Sequence, residues 1–191
     1  MPRYAYKGVD SNMHTCCGGG FTFELNKWYE EETAQTVASG FHCANNPLTC
    51  LSFFSADTSR FFIVEVAGDV NENDQDYIAC TKIRFVKELS LQDLVAHAIK
   101  YICNHPKLPS NTHIVSESFK ATSNTPSAIV RGKNPCCSAK KGTLVGLLKE
   151  KPDSVEIAEA NLYLVDGRNY KENVYYLADG SRKKKKASAE G

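Results

Sequence analysis

The chain has 191 residues, 42% of them hydrophobic and 24% charged, which is enough apolar material for one ordinary domain or two small ones. Its apolar runs fall short of the roughly 20 residues that span a bilayer, and its first residues lack the apolar core of a secretory signal. We therefore expect a cytoplasmic protein without a membrane segment.

The formal charge of +1 combines an acidic body with a basic tail. The tail carries Arg182 and the run Lys183 to Lys186 against one acid, Glu190, which leaves 18 basic and 21 acidic residues in the rest of the chain. Affinity for phosphate depends on clustered Lys and Arg, so an acidic body disfavours a dedicated nucleic-acid surface. Nucleic acid is expected to contact the tail at most.

The eight cysteines would suit a disulfide scaffold in a secreted protein, but in a cytoplasmic one they indicate reduced thiols. Four of them form two adjacent pairs, Cys16-Cys17 and Cys136-Cys137, and adjacent side chains diverge. Cys43 and Cys50 are seven positions apart, so they also lack the short gap of usual zinc ligands. A zinc site is disfavoured, because it would need ligands brought together only by folding.

The first part of the chain is predicted to consist of strands around one short helix. A strand runs from Tyr4 to a turn at Asp10, three glycines at 18–20 form a hinge, and the alternation of Phe21, Phe23 and Leu25 indicates a half-buried strand. Asn46 is a suitable N-cap for a helix whose first residue is Pro47. The residues before this helix, Gly-Phe-His at 40–42, are expected to end a strand that forms a wall with it.

Two further strands and a longer helix follow. The segments Arg60–Val70 and Ile78–Val86 are rich in aromatic and β-branched residues, as buried strands are. Ser90 and Asp93 then resemble a capping box, and apolar residues at helical spacing predict a helix that ends near Cys103.

The rest of the chain is predicted to be less regular and then β-rich. Residues 110–134 are rich in Ser, Thr, Asn and Pro, the segments 142–148 and 155–165 are predicted strands, and two Asp-Gly turns flank 170–177. The predicted fold class is therefore α+β. Its parts are a mixed module over 1–104, a linker or irregular edge over 105–134, a β-meander over 135–180 and a basic disordered tail over 181–191.

Five motifs in the first 95 residues occur in a characteristic order: Y-K-G-V-D, G-F-T-F-E, G-F-H-C-A-N-N-P-L, S-R-F-F-I-V-E-V-A-G and K-I-R-F-V-K-E-L. In this the chain resembles an uncharacterised family of tailed phages, prophages and bacteria. Its members read Y-K-G-F-D, G-F-x-Y-E, G-F-H-x-C-x-x-P-L, S-R-F-x-x-V-E-x-x-G and K-I-x-x-x-x-E-L. Here Cys43 directly follows His42, one position earlier than the family cysteine, whose place is taken by Ala44. The family implies no activity, and a phage origin would place the protein in the host cytoplasm.

A second, more distant resemblance is to the ADP-ribosyltransferase fold. There a first strand carries a basic or His residue, a later G-[IFV]-[YH]-[FL] strand precedes a short helix, and a strand of the type x-x-E-V follows. The order here is similar: Y-K-G, then G-F-H before a helix, then F-F-I-V-E-V. This resemblance implies an NAD cleft in which Gly40, Phe41 and His42 line the nicotinamide pocket and Lys7 approaches the phosphate or ribose.

The same resemblance implies a catalytic set of His42 with a carboxylate, from Glu65 or Asp76. A carboxylate would stabilise the oxocarbenium-like charge that develops as nicotinamide leaves. From the residues alone, two plainer interpretations remain open. His42 could be a core histidine bonded to a backbone carbonyl, and Glu65 could form a structural ion pair with Arg60 or Lys82 on a neighbouring strand.

We thus predict a nucleotide-binding protein of the ADP-ribosyltransferase type, with NAD as the cofactor and with or without catalysis. The alternative is a noncatalytic interaction module that acts on a host or phage protein. A nucleotide site should place His42, Lys7 and a carboxylate around one open cleft, whereas an interaction module would bury or scatter them.

Overall fold

The computed structural model describes residues 2–15, 21–36, 38–72, 77–107 and 112–184. The chain divides into two compact units, Met1–Tyr101 and Ile102–Gly191. The glycine hinge predicted at 18–20 and most of the basic tail lie outside the described residues. No helix in the described part of the chain has the length and apolar character needed to cross a membrane.

The first unit contains five strands and a short 3-10 helix, and α1 follows its last strand. The strands are β1 (Arg3–Asp10), β2 (Trp28–Glu30), β3 (Phe41–Ala44), β4 (Ser59–Asn71) and β5 (Tyr77–Leu89). The 3-10 helix is Pro47–Ser52 and α1 is Leu91–Asn104. The described strands of the second unit are β6 (Ile114–Lys120), β7 (Ser127–Ser138), β8 (Leu144–Glu150), β9 (Ile157–Leu164) and β10 (Tyr176–Leu177).

The predicted α+β class is wrong, because the protein is mostly β, with 48% of the described residues in strands and 12% in helices. The stretch 105–134, expected to be irregular, holds β6 and the first part of β7. Strand β6 is largely exposed on both faces, so its sequence carries no hydrophobic alternation. The strand expected around Phe23 forms only an isolated bridge from Leu25 to Phe85.

The sheet of the first unit closes on itself. Strand β1 pairs with β3 and β4, β4 pairs with β5, and β5 pairs with β3, all antiparallel. Strand β2 is added to β5. Alternate residues of each strand point inwards, which explains why β4 and β5 are rich in β-branched and aromatic residues. Completely buried members of this interior are Val9, Phe62, Val64, Ile83 and Phe85.

A second, smaller core lies on the outer face of this closed sheet. It contains Ala44 of β3, Cys50 of the 3-10 helix, Phe61 of β4 and Leu94 of α1, all of them buried. The 3-10 helix begins as predicted, since the Asn46 side chain accepts a hydrogen bond from the Leu48 N–H at 3.1 Å and Pro47 follows the cap. The helical segments therefore cover the sheet rather than form a layer of their own.

The sheet of the second unit is built around β7. Strand β7 is parallel to both β6 and β8 and antiparallel to β10, while β9 is antiparallel to β8. The register places Ile114 and Val115 beside Ile129 and Val130, so two Ile-Val pairs lie side by side. The β-meander predicted for 135–180 differs from this arrangement, because a meander contains only antiparallel neighbours.

The capping box at the start of α1 has the predicted contacts. The Asp93 N–H donates to Ser90 Oγ at 3.1 Å, and the Ser90 N–H donates to the Asp93 carboxylate at 3.3 Å. We expect Ser90→Ala to lower the free energy of unfolding by about 0.5–2 kcal/mol, since it leaves a helical N–H without its partner. Urea unfolding measures this change. Ser116→Ala, at an exposed strand position, is the control and should change stability by less than about 0.5 kcal/mol.

Candidate functional site

A cavity of about 650 Å³ in the first unit contains most of the site residues predicted from the sequence. Lys7, Gly40, Phe41 and His42 all line it. The volume lies within the range of about 300–1,000 Å³ that is typical of sites for small organic ligands. The remaining walls come largely from aromatic residues: Tyr6, Phe21, Phe23, Phe53, Phe54 and Tyr77.

The cavity exists because β1 and β3 separate shortly after they meet. Their register contains one pair, Tyr6 with Ala44, whereas β1 pairs with β4 along its whole length. We call the gap between Lys7–Val9 and Phe41–Cys43 the seam. Continuing the register would place Gly8 opposite His42, but in the seam the Lys7 Nζ donates instead to the His42 carbonyl oxygen at 2.5 Å. A side-chain donor thus bridges the strands where the ladder ends.

Lys7 is an unusual residue for the interior of a sheet. It lies between Ala5 and Val9 on the inward face of β1, and only 6% of its surface is exposed. Within the described residues its ammonium group forms no ion pair with a carboxylate, and its hydrogen bond goes to the neutral carbonyl of His42. Burying a charge without an opposite charge is costly, so this site favours an anion near Lys7.

Three buried thiols lie close to this charge. The hydrogen bond that Cys80 makes to Cys43 lowers the pKa of Cys43, and the positive charge of Lys7 adds to that effect. The same hydrogen bond, together with burial, raises the pKa of Cys80. Burial raises the pKa of Cys50 to about 12, so Cys50 stays a neutral thiol. All three cysteines are free thiols, and Cys43 and Cys50 line the cavity.

His42 is held by its neighbours through both its backbone and its ring. Its carbonyl oxygen accepts a hydrogen bond from the Lys7 ammonium, and its ring makes a hydrogen bond with the backbone of Gln35. Removal from water lowers the pKa of His42, and the nearby charge of Lys7 lowers it further. The ring is therefore neutral at pH 7 and can offer the cavity a dipole but no charge.

Of the two carboxylates in the predicted catalytic set, the structure describes only Glu65, and Glu65 is not part of this geometry. Glu65 is absent from the cavity lining and forms an ion pair with Arg84 on β5. The sequence-based partners for Glu65 were wrong: Arg60 binds Glu88 at 2.7 and 2.8 Å, and Lys82 is paired elsewhere. The other candidate, Asp76, lies outside the described residues.

Glu65 belongs instead to a row of side chains across the outer face of the sheet. The register aligns Tyr4 with Glu65, Glu65 with Arg84, and Arg84 with Trp28. The Arg84 guanidinium lies 5.0 Å from the centre of the Trp28 ring. Tyr4 is 54% exposed and Trp28 is 40% exposed, so two aromatic rings flank the ion pair at the surface.

Sequence reasoning missed Thr49, whose side chain lines the cavity from the 3-10 helix. Thr49 is 3% exposed, and its hydroxyl oxygen is buried without a hydrogen-bond partner. It also missed the close approach of Phe54 to Gly8, where an added Cβ would lie 2.5 Å from the Phe54 ring. The glycine of Y-K-G was a usable signal, because a glycine inside a strand often marks such an approach.

In the part of the chain that the structure describes, no group of three or more His, Cys, Asp or Glu side chains is arranged to hold a metal ion. Cys16 and Cys17 lie outside that part. The cavity as described therefore offers one buried cation, thiols, aromatic walls and several hydroxyl groups, of which that of Thr49 is buried without a partner.

Gly40 should be required for the shape of the site. Its φ is +81°, and an added Cβ would lie 2.8 Å from the Thr33 carbonyl oxygen and 2.9 Å from that of Cys80. We expect Gly40→Ala to lower the free energy of unfolding by about 2–4 kcal/mol in urea titrations. Gly142→Ala is the matched control: its φ is +95° but the space beside it is empty, so it should cost only about 1–2 kcal/mol. Equal losses in the two variants would contradict the close contact.

The lowered pKa of His42 predicts a pH dependence of stability. A histidine whose pKa is lower in the folded state binds fewer protons there than in the unfolded chain. Stability should therefore fall as pH drops below the unfolded value of about 6.5, until the folded pKa is passed. We expect His42→Gln to reduce this loss, measured as melting temperature between pH 7.5 and 5. Burial also lowers the pKa of His113, so His113→Gln is the matched variant. An unchanged slope in His42→Gln would contradict the assignment.

Comparison with known proteins matches most of the first unit to the model of a family, but to no activity. Residues 3–97 match the model of a family described as a domain of unknown function, DUF7666. This match confirms the predicted resemblance to an uncharacterised family, while it lends no support to the ADP-ribosyltransferase link. No curated protein and no solved structure matches the chain. Lys7, His42 and the rest of the cavity lining lie within the matched residues.

Proposed function

We propose that the first unit binds a small anionic organic molecule in the cavity at the seam. The observation that carries this proposal is the buried ammonium group of Lys7, which has no carboxylate partner among the described residues and lines a cavity of about 650 Å³. A bound anion would provide the missing opposite charge, and the aromatic walls would bury the rest of the molecule.

The nucleotide predicted from the sequence is one ligand of this class. NAD⁺ and ADP-ribose are anionic, and His42, assigned to the nicotinamide pocket, lines the same cavity as Lys7, assigned to the phosphate or ribose. Transfer of ADP-ribose needs a carboxylate at the reacting centre. Of the two predicted candidates, Glu65 is paired with Arg84 away from the cavity, and Asp76 lies outside the described residues. We therefore propose that the cavity binds an anionic ligand, while ADP-ribose transfer remains a prediction from the resemblance.

The alternative predicted from the sequence, an interaction module for a host or phage protein, has its best support in the outer row of Tyr4, Glu65, Arg84 and Trp28. Tyr, Trp and Arg are enriched where proteins bind each other. Nothing in this row requires the buried charge at the seam, so the two functions can be tested separately.

The test is a thermal-shift titration of the full chain with NAD⁺, ADP-ribose and small aromatic acids, repeated on His42→Ala. Ligand at about 100 times its Kd stabilises the folded state by about 2.7 kcal/mol, which is several degrees for a unit of this size. We expect at least one of these anions to raise the melting temperature of the parent, and the rise to shrink in His42→Ala. A flat response to every anion at millimolar concentration, from a folded protein, would overturn the proposal and favour the interaction module.

A further inference from the structure

We propose that the ligand of the cavity is a monocarboxylic acid with a flat, apolar body. Its carboxylate binds the Lys7 ammonium group at the seam. This inference rests on the proposed function and narrows it to one chemical class. It depends on three features of the described cavity: the number of charges, the unpartnered hydroxyl group and the composition of the walls.

The first feature is that the cavity supplies one buried cation. Lys7 is 6% exposed, and the other basic side chain of the lining, His42, has a lowered pKa and is neutral at pH 7. One ammonium balances one negative charge. A monoanion therefore fits this site better than a pyrophosphate, whose second charge would enter an apolar cavity without a partner.

The second feature is the donor capacity beside the charge. An ammonium group has three N–H donors, and within the described residues the hydrogen bond of Lys7 to the His42 carbonyl uses one of them. Thr49 adds a hydroxyl group that is buried without a partner on the same cavity wall. A carboxylate, which only accepts hydrogen bonds, matches such a set of donors.

The third feature is the wall chemistry. Most of the large side chains that line the cavity are aromatic, and Phe53, which is 56% exposed, lies at its rim. The only carboxylate in the lining is that of Glu31, which is exposed. Such walls favour the burial of a flat apolar body.

The experiment compares an acid with its uncharged amide of the same shape. Isothermal titration at pH 7.5 measures 4-phenylbutanoate and 4-phenylbutanamide binding to the full chain. We expect the acid to bind at least about tenfold more tightly than the amide, because a hydrogen-bonded buried charge pair contributes more than a neutral contact. Comparable affinities for the two, or weaker binding of the acid, would overturn the inference. This comparison on the parent protein decides the question even if no variant folds.

Two lysine variants then locate the carboxylate. Lys7→Met keeps the length of the side chain and removes its charge, so the preference for the acid should fall to about onefold while binding of the amide persists. Lys87→Met makes the same change at an exposed position of β5 and should keep the preference. A preference that survives in Lys7→Met would overturn the assignment of Lys7.

The outcomes separate this inference from the proposed function. Binding of NAD⁺ or ADP-ribose without binding of the acid would overturn the monocarboxylate while the small-ligand function stands. Binding of no anion at all would overturn both.

Discussion

The first unit depends on the closure of its antiparallel sheet. An open sheet of these strands would leave one face of β1 and β4 in water, although Val9, Phe62 and Val64 on that face are completely buried. Closure solves this problem, but it requires β1 to have a partner on each side. One side is satisfied by β4 along the whole strand, and the other meets β3 at a single pair. The imperfect side is where the cavity lies.

The strain of closure explains why the seam has unusual residues. Two register shifts occur between β4 and β5, after Ile63 and after Ala67, and such shifts bend and twist a sheet enough to bring its ends together. Where the ends fail to align, the Lys7 ammonium replaces a backbone donor and the Phe54 ring fills the space beside Gly8. Structural and binding properties thus share the same residues, because the ammonium that completes the hydrogen bonding is also the one that can attract an anion.

The local signals in the sequence were sufficient for part of this structure. The capping residues Asn46 and Ser90 act through local hydrogen bonds, so the starts of both helical segments were predictable. The inward alternation of Phe62 and Val64 was equally visible. The partner of Glu65 was not, because it depends on the register between β4 and β5, and a shift of two residues exchanges Lys82 for Arg84. The β6 strand was hidden because its stability comes from pairing with β7 rather than from a buried face.

The candidate site, too, was predictable only in part from the sequence. Its histidine and lysine were predicted from motifs, but their meeting at one cavity depends on contacts across 35 positions of the chain. Thr49 gave no sign in the sequence, since a threonine in a short helix becomes informative only when its hydroxyl group is found without a partner.

The order of strands along the chain also determines when the seam can form during folding. Strands β4 and β5 are neighbours in sequence and can pair as a hairpin, whereas β1 must wait for β4, whose paired residues begin at Ser59. Contacts between distant segments form slowly, because the loop between them must first be closed. During synthesis, β1 therefore leaves the ribosome long before its partner strands. Until β4 and β5 emerge, β1 has no strand to pair with along its length, so the Lys7 ammonium stays in contact with water.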